Sequence, residues 1–386
     1  MSARNCIVGK KMLSGQTNTK QDIPPLKSLY FYLTSYCNLN CLHCWIAPSY
    51  IDKDEAPQEA PFEVLKDIID QAIPLGLKSI KISGGEPFLN KNIFPLISYA
   101  SSKNLNIIIE TNGTLIDEES AKFLKENHLG MVAVSLDGPN KKIHETLRAR
   151  QGCFEKTVEG IKFLKKYNLN VQVIMAVYKY NSNYLEDTIS FAEKLGANSF
   201  KINCISAVSR GEALKTKGDT LEVKDYLILN QKIENEIQPR YKIKIILDIP
   251  PAFKKIKDIK ERTGRCGLKH ILGVLANGDI SICGIGEVVS ALRFGNIRTG
   301  TLKHLWENSP ILKILRNDIP QKLEGICSQC IFKGFCMGKC RAEAYYATGN
   351  FFSPFSFCDE AYKLGLFPEK NIFAFKKEVL GERLCI

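Results

Sequence analysis

The chain has 386 residues, 45% hydrophobic, 9% aromatic and 24% charged, an ordinary globular composition with room for more than one domain. It contains no apolar run of about eighteen residues, and the leading MSARNCIVGKKMLSGQTNTKQD lacks a signal-peptide core, which excludes a membrane-spanning or exported class and implies the cytoplasm. The net charge of +12 is spread without a Lys/Arg block, as on a solvated basic surface rather than a nucleic-acid stripe.

From Lys27 onward, strand and helix patterns alternate. LYFYLTS (29–35) is a short run of strand formers. EAPFEVLKDIIDQAI (59–73) carries a helical apolar stripe, with Pro61 in its first turn and Gly76 at its exit. Strand patterns recur at 77–83, 105–111, 131–137, 170–177 and 199–205. Helical patterns lie near 92–103, 117–126, 154–167 and 183–195. Six such units predict an α/β fold with a parallel sheet, a partial (β/α)6 TIM-like barrel whose strand ends line one mouth. A polar helix over 219–240 and a strand over 241–249 follow. VLANGDISI then reads as a hairpin around Asn277-Gly278. The organisation expected is an N-terminal extension (1–26), a barrel core (27–211), a connector (212–262), a small cysteine-rich domain (263–362) and a tail (363–386).

Fourteen cysteines in a chain with no export signal point to metal or redox sites rather than disulfides. CNLNCLHCW (37–45) places Cys37, Cys41 and Cys44 just after the first strand. Thiolates so spaced can converge on an iron–sulfur cluster, which normally takes four. Three leave one iron with an open position for a chelating ligand. A zinc knuckle would need a fourth ligand nearby and would leave the next motif unexplained. That motif is SGGEP (83–87), at the end of the second strand. ETNG (110–113) ends the third and SLDG (135–138) the fourth.

Together these motifs resemble the radical S-adenosylmethionine (radical SAM) superfamily. The resemblance implies that Cys37, Cys41 and Cys44 hold a [4Fe–4S] cluster. It implies that Gly84, Gly85, Glu86 and Pro87 hold the methionyl amino group of SAM. Ser135 faces the ribose or carboxylate, and His43 fills the aromatic-or-His slot before the third cysteine. The implied chemistry is reductive cleavage of SAM to a 5′-deoxyadenosyl radical that abstracts hydrogen.

A second series, Cys266, Cys283, Cys327, Cys330, Cys336, Cys340 and Cys358, resembles the SPASM domain of radical SAM enzymes that modify peptides. Carried over by position, Cys327, Cys330, Cys336 and Cys358 hold a distal auxiliary [4Fe–4S] cluster, and Cys266, Cys283 and Cys340 a nearer one, making three clusters in all. A zinc ribbon is the competing reading of the C-x₂-C pair. Some relatives add a ligand about six residues before the first cysteine, where this chain has Lys260. The nearer cluster therefore keeps an open iron or takes a distant ligand such as Cys204. Cys6, Cys153, Cys204 and Cys385 otherwise read as incidental thiols, and no histidine but His43 as functional. Sulfatase maturases carry Asp where this chain has Gly284. The expected activity is therefore modification of a ribosomally made peptide by a thioether or carbon–carbon crosslink or by epimerisation. A small-molecule or tetrapyrrole substrate, or formylglycine formation, is the alternative. The implied partners are a precursor peptide, a flavodoxin- or ferredoxin-like electron donor and, because the stretch before Lys27 is short for a leader-binding domain, a separate leader-binding protein. Nucleic acid and membrane are not expected.

Overall fold

The computed structural model describes residues 23–50, 59–256, 259 and 266–373. Cys6, Cys385, Lys260, most of the N-terminal extension and the tail beyond 373 lie outside the described residues. A ten-stranded sheet runs through the molecule. Its central strands are β1 (Ser28–Tyr32), β4 (Ser79–Ser83), β5 (Asn106–Thr111), β6 (Met131–Ser135), β7 (Val171–Val177) and β8 (Ser199–Cys204), mutually parallel in that order. The tiny strands β2 (Tyr36–Cys37) and β3 (Ser49–Tyr50) pair with each other beside β1. Crossover helices are α1 (Phe62–Ala72), α2 (Ile93–Ser102), α3 (Glu118–Glu126), α4 (Lys141–Arg148), α5 (Cys153–Lys166) and α6 (Leu185–Lys194), followed by α7 (Arg210–Thr216) and α8 (Val223–Lys232).

The period-two pattern explains which side faces which layer. Leu29, Phe31, Ile80, Ile82, Ile107 and Ile109 are fully buried in the main core, each contributing about 1.5–3 kcal/mol on burial. The alternate residues Tyr32, Ser83, Glu110, Ser135, Ala176 and Asn203 line one cavity on the opposite side. The sheet thus curls around that cavity, in the manner of a partial barrel.

The sheet extends beyond the six central strands on both sides. The connector strand is β9 (Lys244–Leu247), and it joins the barrel sheet as a parallel neighbour of β8. The cysteine-rich region does not build a separate sheet. Its strand β10 (Ile271–Val274) lies parallel to β1, and β11 (Asp279–Ser281) and β12 (Arg293–Asn296) continue outward antiparallel. The open edge of β1 needs backbone partners, and β10 supplies them. The Asn277-Gly278 hairpin forms as expected, with Gly278 at φ 88°. The polar helix is shorter than its pattern: α8 passes into a π turn at Ile233–Ile237 and ends in a 3-10 turn at Gln238–Arg240, where Pro239 interrupts the hydrogen-bond ladder. Helix α4 was not expected. Its buried face is Ile143, His144, Leu147 and Arg148, so two polar letters hide its apolar stripe.

Candidate functional site

The cysteine loop leaves β1 and folds across the barrel mouth. Cys37 and Cys41 are buried, Cys44 is half-buried, and all three line a cavity of about 670 Å³. The Leu39 N–H points at Cys37 Sγ from 3.4 Å. The SGGEP loop packs directly on this segment. Gly85 N–H donates to the Thr34 carbonyl and Glu86 N–H to the Tyr36 carbonyl, both at 2.8 Å. A Cβ on Gly85 would fall 1.8 Å from the Tyr36 carbonyl oxygen, and Gly84 adopts φ 129°. The glycines therefore serve a backbone-to-backbone approach to the cysteine loop, while both still face the cavity.

Glu86 is fully buried, and neither it nor Pro87 is among the residues lining the cavity. Its carboxylate accepts from Thr111 Oγ1 at 2.6 Å, from Asn112 N–H at 2.8 Å and from Phe88 N–H at 3.3 Å. Burial pushes it up to about 7 despite those donors. The side chain thus ties SGGEP to ETNG. Asn112, in turn, bonds Asn38 Oδ1 at 2.8 Å and comes within 3.9 Å of Cys37 Sγ. Ser135 lines the cavity wall at the end of β6.

Behind the three thiols lies a buried polar network. Arg148 Nη1 is 3.6 Å from Cys41 Sγ, and its Nε donates to Asp137 Oδ2 at 2.5 Å. Asp137 N–H donates to His144 Nδ1 at 3.1 Å. Burial works against the Asp137 charge, but Arg148 together with His43, His144 and the Ala176 N–H outweighs it and holds the carboxyl below its usual range. His43 borders the cavity; burial, reinforced by Arg148, lowers it to about 4, so the ring is neutral. Cys153 packs with Cys37, Leu39 and Cys41. Sequence reasoning missed Arg148, Asp137 and His144. The available signal was His144 and Arg148 sharing the inward face of α4 with Ile143 and Leu147.

Most of the later cysteines lie in two places. Cys327, Cys330, Cys336 and Cys358 surround one small apolar pocket with Ile326 and Phe367. The Cys358 thiol donates toward Cys327 and lowers its pKa. Phe332 N–H and Phe355 N–H point at the sulfurs of Cys330 and Cys327 from 3.4 and 3.5 Å. Cys266 and Cys283 lie near enough to Cys340 to act on its thiol electrostatically, and Glu343 N–H lies 3.4 Å from its sulfur. Cys283 and Cys340 line the same main cavity as the first trio. Among the described residues no three His, Cys, Asp or Glu side chains meet closely enough for one metal ion.

Cys204 also lines the main cavity. Its neighbours are Asp248, Lys339, Tyr226 and Glu343, with the thiol 3.9 Å from the Asp248 carbonyl. A chain of alternating charges crosses the barrel here. Lys81 meets Glu110 at 3.1 Å, Lys201 meets Asp248 at 3.5 Å, and Lys339 also pairs with Asp248. Burial opposes the Asp248 charge, yet Lys339 and Lys201 bring it down to about 2. Two rings that line the cavity, Tyr32 and Trp45, meet edge to face at 6.4 Å.

A curled parallel sheet bearing a three-cysteine loop at its mouth and a cysteine-rich extension defines a class of iron–sulfur enzymes. The profile described as the radical SAM superfamily matches residues 31–192, and one for an iron–sulfur cluster-binding domain, SPASM, matches residues 266–331. The chain belongs to the radical SAM enzymes that carry a SPASM domain. The AdoMet-dependent heme synthase of Methanosarcina barkeri is 29% identical over 84% of this chain and 94% of its own. The subtilosin biosynthesis protein AlbA of Bacillus subtilis is 27% identical over 83% of this chain and 69% of its own. The crystal structure of SuiB from Streptococcus suis shares the fold with a TM-score of 0.70 at 19% identity, over 87% of this chain and 77% of SuiB. Among the described residues no helix is long and apolar enough to cross a membrane.

Proposed function

We propose that this chain is a radical SAM peptide maturase whose substrate occupies the cavity that both cysteine groups line. One observation supports the reading: Cys37, Cys41 and Cys44 line the same cavity of about 670 Å³ as Cys283 and Cys340. The residues fit cluster binding. The first trio comes with N–H donors aimed at its sulfurs from Leu39 and Arg148 and has no fourth cysteine in its loop. The later seven divide into a set of four and a set of three. When bound, the first [4Fe–4S] cluster supplies the electron that splits SAM into methionine and a 5′-deoxyadenosyl radical.

The protein's own residues position and shield that chemistry. Gly84, Gly85 and Ser135 present the wall that receives the methionyl and ribose parts of SAM. Glu86 acts indirectly, by holding the glycine loop against ETNG. Cys327, Cys330, Cys336 and Cys358 hold the distal auxiliary cluster, and Cys266, Cys283 and Cys340 the nearer one. Exposed Lys179, Lys215, Gly218 and Glu222 form part of the cavity rim, which suits a chain that inserts one residue and leaves the rest outside. A flavodoxin- or ferredoxin-like protein supplies electrons, and a separate leader-binding protein or the basic surface receives an acidic leader. Formylglycine formation is disfavoured. The position that is Asp in sulfatase maturases is Gly284, and a Cβ there would lie 2.2 Å from the Tyr32 ring.

A second reading, a tetrapyrrole substrate, is favoured by the heme synthase relative, which matches this chain over nearly its whole length. The two readings separate in one experiment. Reconstituted protein with SAM and dithionite is offered, in D₂O, a candidate precursor peptide or an iron-free or iron-bearing tetrapyrrole. Loss of two hydrogens from the peptide, or deuterium at one of its carbons, supports peptide maturation. An unchanged peptide beside a modified tetrapyrrole overturns it.

A further inference from the structure

Arg148 holds a full positive charge against a sulfur of the first cysteine trio. Its Nη1 lies 3.6 Å from Cys41 Sγ. Neutral donors approach the neighbouring sulfur: Leu39 N–H at 3.4 Å and Asn112 Nδ2 at 3.9 Å from Cys37 Sγ. The guanidinium is fixed in place rather than draped there. Its Nε is bonded to Asp137 Oδ2 at 2.5 Å, and Asp137 Oδ1 accepts from Ala176 N–H at 2.8 Å. The Asp137 carbonyl accepts from Asn181 Nδ2 at 3.0 Å. Leu42 N–H donates to the Leu147 carbonyl at 3.0 Å, which stitches the cysteine loop to the end of α4. Asp137 is fully buried and Arg148 nearly so. Neither partner can leave without stranding the other's charge.

We propose that Arg148, clamped by Asp137, sets the reduction potential of the cluster held by Cys37, Cys41 and Cys44. This rests on the cluster reading above. A reduced cluster carries one more negative charge than the oxidised one. A buried guanidinium donating to a ligand sulfur favours that added charge and raises the potential. In water the effect would be screened; in this buried setting it is not. Arg148 is thus a positioning and tuning residue, acting through Cys41.

The test is a redox titration of the reconstituted full-length protein, monitored by electron paramagnetic resonance, without SAM, so that contact with SAM plays no part. The signal of the first cluster is identified by its response when SAM is added afterwards. The double variant D137N/R148Q removes both charges together and leaves no orphan. R148K keeps the charge. The proposal expects a lower potential for the first cluster in D137N/R148Q, a value nearer wild type in R148K, and unchanged potentials for auxiliary clusters in both. An unchanged first potential in D137N/R148Q overturns it. Loss of that cluster from D137N/R148Q also overturns it, in favour of a purely structural tie. A wild-type protein with no SAM-responsive signal at all would instead sink the cluster reading.

Discussion

Gly284 lies against the ring of Tyr32: a Cβ on residue 284 would sit 2.2 Å from Cε1 and 2.4 Å from Cζ. Tyr32 closes β1, and Gly284 follows Cys283, so this contact seats the second cysteine group on the barrel. Because Tyr32 is buried, its ring has little room to yield. Gly284→Ala should destabilise the fold by about 1–3 kcal/mol through overpacking. In a Tyr32→Leu background the same change should cost less. A double-mutant cycle in denaturant measures that coupling, and additive penalties would refute the contact's importance.

Gly85 meets a tighter obstacle, the backbone oxygen of Tyr36 at 1.8 Å. Gly85→Ala should displace the cysteine loop. Iron bound by the first trio should fall sharply while auxiliary iron stays. Iron counting with spectroscopy on the variant and on wild type checks it; equal loss from all sites would point to global unfolding.

Cys41→Ala should abolish 5′-deoxyadenosine release from SAM under dithionite and leave auxiliary iron largely in place. The two later cysteine groups are built on different elements, so they have no reason to empty. Persistent nucleoside release from this variant would contradict the role given to Cys41.

Cys204 shares the cavity with Cys283 and Cys340, but its neighbours are Asp248, Lys339, Tyr226 and Glu343. Cys204→Ala should therefore keep the nearer auxiliary cluster, consistent with a site of three cysteines. Loss of that cluster's signal would make Cys204 the fourth ligand.

Asp248 titrates near 2 in the fold against an ordinary value of 3.8, because Lys339 and Lys201 outweigh the cost of its burial. A depressed carboxyl stabilises the fold above its unfolded value and loses that contribution as pH falls through the folded one. The stability gap between wild type and Asp248→Asn should be on the order of 2 kcal/mol near neutral pH. It should shrink as pH drops from about 4 to about 2. Circular dichroism of cluster-free protein follows it, and a gap independent of pH would exclude this carboxylate as the cause.

Much of the architecture was legible because its signals are local. Strands β4 (SIKIS) and β8 (SFKINC) alternate apolar and polar residues, which separates core from cavity, whereas β6 and β7 are nearly continuous apolar runs of strand formers. The cysteines fall at short, regular spacings that reflect ligand chemistry. The Asn277-Gly278 turn needs a positive φ that Gly278 supplies. Helix α4 escaped notice because its inward face uses His144 and Arg148, residues that read as solvent-facing until Asp137 and Cys41 are seen beside them. The bonds of Glu86 to Thr111 and Asn112 were not legible in the motif; a motif names residue types but not where each side chain turns.

By itself the sequence determined the strand–helix alternation and the three-thiol loop, both of which depend on residues near one another along the chain. Tertiary structure alone decided that β10 extends the barrel sheet beside β1. It also decided that Arg148 reaches Cys41 across 107 residues and that Tyr32 demands a glycine at 284. Those outcomes turn on which backbone edges lack partners, which buried charges need compensation and which atoms fill the same space. Such quantities exist only once distant segments have been brought together.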